Sequence, residues 1–156
     1  MAFVGTRNVF EFSHSLNAFK TDDQIHSGYK KYAQKCMRII NAEILKDVDP
    51  TKKLTLTAHS LGSVAATIIA TKLKNYDIDL VIFGTPKPGG ALFKEEFDNL
   101  DNITTHNYMT KHDPIQYYPF LDYEHVGNLS YLDDVRYRNI VSNHTLDCYI
   151  ENLSFQ

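Results

Sequence analysis

The sequence has no tryptophan and only two cysteines in 156 residues. Cys36 and Cys148 are too few for the multi-bridge framework of small secreted domains, and they lack C-x-x-C spacing. Both fall on expected helices and read as buried free thiols. No H-E-x-x-H and no Cys/His cluster is present, so neither a metal nor another cofactor is expected. No apolar run approaches the roughly 20 residues that cross a bilayer. The first residues, "MAFVGTRNVF", lack both the charged and the long apolar regions of a secretory signal, so an intracellular protein is expected. Basic clusters are missing too: 16 Lys and Arg are scattered among 19 Asp and Glu, with a formal net charge of −3, which argues against a nucleic-acid partner.

What remains is a chain that is 43% hydrophobic, enough for one domain over residues 1–156 that buries about two thirds of its unfolded surface. Its elements alternate in type. "AFVG" reads as a strand, and Ile25 to Leu45 as a long helix with Tyr29, Tyr32, Ala33, Cys36, Ile39, Ile40 and Leu45 facing inward. Leu54 to Thr57 is a strand and Val64 onward a helix. "DLVIF", Asp79 to Phe83, reads as a strand buried on both faces. "ALFKEEFDNL" is a short helix and "ITTHNYM" a further strand. Tyr123 to Tyr131 and Val135 to Val141 read as an antiparallel pair, and His144 to Leu153 as a last helix. This alternation predicts an α/β fold with a mostly parallel sheet flanked by helices, whose ligands sit at the carboxyl ends of the strands.

At one such end lies "AHSLG", Ala58 to Gly62, between the strand and the second helix. Small residues on either side of Ser60 are what a tight strand-to-helix turn requires, because bulk there would clash as the two elements pack. The turn lifts the serine oxygen clear of the sheet and aims the leading N–H groups of the helix at any negative charge that forms beside it. Such a serine needs a base, and the base needs an orienting acid. Among seven histidines, His144 follows the last strand and starts the final helix. His59 adjoins the serine, but neighbours at such a turn point different ways. His125 sits inside the expected hairpin. For the acid, Asp113 lies just beyond a strand, stiffened by Pro114, with Asp122 as the nearest rival. "GTPKPGG" at Gly84 is spaced like a phosphate loop but lacks the Lys-Ser/Thr ending that would hold phosphate and metal.

The order Ser60, Asp113, His144 is that of α/β-hydrolases, and the sequence resembles the class 3 lipases within that fold. The resemblance rests on "AFVGT", "IHSGYKKY", "LTLTAHSLGSVAA", "VIFGTPKPGG", "NYMTKHDPIQYYP", "YEHVGNLSYL" and "NHTLDCYI", in that order along nearly the whole chain. It implies a reduced α/β-hydrolase fold in which Ser60 is the nucleophile, Asp113 the acid and His144 the base. Thr6 and Leu61 take the oxyanion positions. The sequence departs from the family pattern at Val4, where many members have Arg, at Ala58 in place of the first glycine of the elbow, and at Ser63 in place of a later one. The first elements of larger relatives precede the point where this chain begins, which suggests a pared-down hydrolase or a fragment.

The implied activity is hydrolysis of carboxylic esters, of a lipid or a small molecule, through an acyl-enzyme, with transient contact at a lipid surface. Phe10 and Phe12, in the segment that forms the lid of fungal relatives, and Tyr117 and Tyr118, beyond Asp113, are the expected walls of an acyl groove. With little chain to roof it, the groove should be shallow and favour short to medium acyl chains. The rival expectation is a hydrolase fold without catalysis, serving as a binding or structural protein; the oligomeric state is not legible.

Overall fold

The computed structural model describes residues 1–3, 20–120, 122–132 and 141–154. Its elements are β1 (Ala2–Phe3), α1 (Ser27–Glu43), β2 (Leu54–His59), α2 (Leu61–Ala70), β3 (Ile78–Phe83), α3 (Ala91–Asp98), β4 (Ile103–Thr110), β5 (Leu129–Leu132) and α4 (Leu146–Ser154). Short 3₁₀ turns fall at Leu45–Asp47, Pro114–Tyr117 and Ser142–His144. The strands form one sheet in the order β1-β2-β3-β4-β5, and each neighbouring pair is parallel. The fold is therefore α/β, with helices on a parallel sheet.

Register explains where the core sits. Leu54, Leu56 and Ala58 of β2 align with Ile78, Leu80 and Ile82 of β3, and all six are buried. Paired residues of parallel neighbours share a face, so these side chains make one continuous apolar surface. Against it lies α2, whose ten residues are all buried. A helix buried all round cannot afford unsatisfied hydroxyls, and Thr67 meets this by donating to the Ser63 carbonyl at 2.8 Å while Ser63 Oγ donates to the Phe83 carbonyl at 3.1 Å. The outer layer is α1, which presents Tyr29, Ala33 and Ile40 inward. It ends before Asp49–Pro50, where a proline disfavours helical backbone in the preceding residue. Asp49 instead closes a turn, accepting from the Thr51 N–H at 2.9 Å.

Four expectations are corrected. Ile39 is 63% exposed and belongs to the outer face of α1, because it falls next to Ile40, which takes the inward position. Cys36 is only half-buried, while Cys148 is buried as expected; both are free thiols. β3 alternates buried and half-buried residues rather than being covered on both faces. Its second face, with Asp79, Val81 and Phe83, shares a row with Thr55, Thr57 and His59, and α4 reaches this face where Tyr149 meets Phe83 and His59.

The fourth correction concerns the extent of the first strand of the expected antiparallel pair. Only Leu129–Leu132 of its first half is a strand, and it pairs in parallel with β4; residues 133–140 lie outside the described residues. The loop before it is pinned by Gly127, whose N–H donates to Asp98 Oδ1 at 2.7 Å. Gly127 has φ +66, and a Cβ there would stand 2.6 Å from Thr105 Cγ2. Gly127→Ala should therefore lose about 1–3 kcal/mol. The melting midpoint, followed by circular dichroism, is expected to fall by roughly 3–10 °C; an unchanged midpoint would show that the loop moves aside without strain.

Candidate active site

Ser60 joins β2 to α2 at φ 59 and ψ −130, a conformation that a non-glycine residue rarely adopts. Its backbone N–H donates to the Phe83 carbonyl at 3.0 Å, and its own carbonyl accepts from the Ser63 N–H at 3.0 Å. The turn is thus held on both sides, and Ala58, 5% exposed, leaves room for it below. Leu61 is the first residue of α2, and the leading N–H groups of a helix have no partner within the helix.

The candidate acid and base arrive from two later segments. Asp113 follows β4 and caps the Pro114–Tyr117 turn, with its Oδ1 accepting from the Ile115 N–H at 2.8 Å. His144 ends the Ser142–His144 turn, two residues ahead of α4, rather than starting that helix. The His144 Nδ1 donates to Asp113 Oδ2 at 2.7 Å. An ionised carboxylate can only accept, so this bond puts the ring proton on Nδ1 and leaves Nε2 as an acceptor. Ser60 Oγ lies 2.8 Å from that Nε2. The three side chains are 6%, 0% and 5% exposed for Ser60, Asp113 and His144, so water competes little for these bonds.

Three further residues, none assigned to the site from sequence, complete the arrangement. Tyr149, fully buried on α4, donates its hydroxyl to Asp113 Oδ2 at 2.6 Å. Burial, followed by the adjacent Asp113 charge, raises its pKa well above the usual phenol value, so it remains a donor. Gly84 leaves β3 at φ +55, and a Cβ there would lie 3.0 Å from both Asp113 Oδ2 and the Tyr149 hydroxyl and 3.1 Å from His144 Cε1. His59, set aside as pointing elsewhere, lays its ring beside that of His144, with centroids 4.8 Å apart and planes tilted by 32°. The signals were present: a tyrosine one and a half turns beyond the histidine in "NHTLDCYI", and a glycine at the end of a strand in "VIFGT".

Of the other expected site residues, Tyr117 is 57% exposed in the turn beyond Asp113, and Tyr118 is half-buried against the core. Asp122 is exposed, away from this hydrogen-bonded chain. His125 lies in a loop rather than a strand, with Nε2 2.8 Å from the Gln116 carbonyl. Thr6, Phe10 and Phe12 fall outside the described residues, as does Val4. Among the described residues no helix is long and apolar enough to cross a membrane.

The chain matches the family described as "Lipase (class 3)" over residues 4–123. It is 26% identical over 113 residues to phospholipase A1-II 1 of Oryza sativa subsp. indica, an alignment that covers 65% of this chain and 29% of the rice protein. It is 32% identical over 73 residues to secreted mono- and diacylglycerol lipase 1 of Fusarium solani, covering 44% of this chain and 22% of that protein. In structure it is similar to the Rhizomucor miehei lipase propeptide complex, with a TM-score of 0.74 at 18% identity over 85% of this chain and 49% of that one. It is also similar to the Lip2 lipase of Yarrowia lipolytica, with a TM-score of 0.70 at 20% identity over 90% of this chain and 60% of that one. These likenesses show an α/β-hydrolase fold. The chain spans less than a third of the length of the two sequence relatives.

The convergence on Asp113 leads to a prediction. Tyr149→Phe keeps the ring but removes one of the donors to a buried carboxylate, a bond worth about 1.5–3 kcal/mol. With the ester substrates expected from the resemblance, turnover should fall roughly 10-fold at a nearly unchanged KM, because the loosened carboxylate no longer fixes the candidate base. Steady-state kinetics would check it, and a variant as fast as the parent would make Tyr149 a packing residue only.

Proposed function

The chain belongs to the class 3 lipase family, and on that premise we propose that it hydrolyses carboxylic esters through a covalent acyl-enzyme on Ser60. The observation that carries this reading is the unbroken chain of hydrogen bonds Ser60 Oγ, His144 Nε2, His144 Nδ1 and Asp113 Oδ2. His144 Nε2 removes the Ser60 proton as Oγ attacks the ester carbonyl carbon. Asp113 stabilises the imidazolium that results. The tetrahedral oxyanion lies near the start of α2, where the Leu61 N–H and the helix dipole oppose its charge. In this reading Thr6 supplies a second donor. The intermediate collapses with release of the alcohol, which takes the proton back from His144. Water then gives its proton to His144 and attacks the acyl carbon, releasing the acid and restoring Ser60.

The substrate reading is a lipid or small ester with a short to medium acyl chain, held in a shallow groove walled by Phe10, Phe12, Tyr117 and Tyr118. Two features support contact with a lipid surface: Tyr117 at 57% exposure and Phe120 at 75% both lie beyond Asp113. A buried CH₂ contributes about 0.8 kcal/mol, so a groove that ends early stops rewarding longer chains. Across a p-nitrophenyl ester series, kcat/KM is expected to rise and then level or fall at medium length. A steady climb to long chains, with a jump above the solubility limit of the substrate, would point instead to an interfacial lipase with a deep acyl site.

The mechanism itself is tested at the nucleophile. A fluorophosphonate probe should label the protein at Ser60, and Ser60→Ala should abolish labelling and lower kcat by roughly 10⁴-fold or more. Failure of the parent protein to label, with no turnover of any ester, would favour a non-catalytic binding protein on the same fold.

A further inference from the structure

We propose that His59 is a positioning residue for His144, holding the face of the base's ring while the two hydrogen bonds hold its ends. The inference rests on the serine-hydrolase reading for its catalytic consequence, and on geometry for the contact itself. The bonds from His144 to Ser60 and to Asp113 leave from Nε2 and Nδ1, at 2.8 and 2.7 Å. Both lie close to the plane of the ring, so they fix its position within that plane. They resist poorly a tilt about the line that joins the two nitrogens. Besides the side-chain torsions of His144 itself, a neighbour on the ring face opposes that tilt, and among the described residues the ring in contact with His144 is that of His59, at 4.8 Å between centroids.

His59 is well placed for this because it is backed on its own side. The Tyr149 ring lies against it in an edge-type arrangement, with centroids 5.7 Å apart and planes at 64°, and the Tyr149 hydroxyl is bonded to Asp113. The same residue therefore braces His59 and orients the acid. His59 also directly precedes Ser60, so whatever places the nucleophile places this brace with it. Its Nε2 is buried and has no hydrogen-bond partner among the described residues. Its ring also makes a hydrogen bond with the His144 backbone, so His59 holds the base through its flat face and through its other edge.

Charge supports the assignment. During turnover His144 becomes a cation, and a second cation beside it would oppose the proton transfer. Burial, and then the neighbouring His144, push the His59 pKa down to about 4, against the weaker opposing pull of Asp113 and of a hydrogen bond to the His144 backbone. The brace is thus neutral when the base is charged, and a neutral π face is attractive to a cation.

The test compares His59→Phe, which keeps a flat neutral ring, with His59→Leu, which keeps apolar bulk without one. The Phe variant should retain kcat within about threefold, whereas Leu should lower it roughly 10- to 100-fold with KM within about twofold. In proton NMR the His144 Nδ1–H, identified by its loss in His144→Ala, should give a sharp downfield resonance in the parent and in His59→Phe and a broadened one in His59→Leu. A Leu variant with parental kcat and a sharp resonance would overturn the proposal. So would a Phe variant as impaired as Leu, since the imidazole nitrogens would then be what matters. If the parent turns over no ester and takes no fluorophosphonate, the serine-hydrolase reading fails, while the NMR comparison still decides whether His59 braces the ring.

Discussion

Gly84 leaves β3 with φ +55 and no side chain, and three later segments close on the space this creates. Asp113 comes from the loop after β4, His144 from the turn before α4 and Tyr149 from α4 itself, and atoms of all three lie within 3.1 Å of where a Cβ of residue 84 would be. Any L residue there would meet two penalties together, the strained backbone and the displaced partners. The hydrogen bonds that link acid, base and phenol depend on this one absence. The glycine is itself set by the sheet, since its N–H donates to the Tyr108 carbonyl at 3.1 Å and continues the β3–β4 pairing past the last paired residues.

The strain at Ser60 is sustained in a similar way. A residue at φ 59 that is not glycine is held there only when its surroundings over-determine it, and here the Phe83 carbonyl does much of that. That carbonyl accepts from both the Ser60 N–H and the Ser63 hydroxyl. Ser63 stands where the family pattern has a glycine, and the structure gives the substitution a use: its hydroxyl ties the first turn of α2 to the end of β3. Strand ends, the serine turn and the helix start are thereby fixed to one another, which is the preorganisation that the proposed acyl transfer requires.

Much of this was legible in the sequence because it depends on local pattern. Alternating Leu and Thr before "AHSLG" and apolar residues at helical spacing after it predict β2, the turn and α2, and all three are found. What was not legible depends on which face a residue takes once distant elements pack. His59 and Ser60 are neighbours in sequence, and sequence offered no means of seeing that a turn 84 residues beyond Ser60 would bring His144 alongside both. Ile39 fell to the outer face because helical periodicity tolerates a shift of one residue until packing chooses. The strand expected over Tyr123 to Tyr131 begins only at Leu129 because apolar residues in the loop before it resemble those of a strand. Val126, for example, is fully buried without belonging to one.

The acid loop shows how the remaining freedom is removed. A carboxylate with no exposure to solvent is stable only when donors surround it, and Asp113 has the Ile115 N–H on one oxygen and His144 with Tyr149 on the other. Those donors fix the carboxylate only if the loop that carries it is rigid. Gln116 supplies the rigidity: its side-chain amide donates to the carbonyl of Asp113 at 2.9 Å and of Lys111 at 3.0 Å, and its Oε1 accepts from the Tyr131 hydroxyl at 3.2 Å. Tyr131 lies on β5, which pairs with β4. The loop is therefore referenced back to the same sheet edge from which it departs, so that the acid is positioned by the sheet even though it sits beyond the end of a strand.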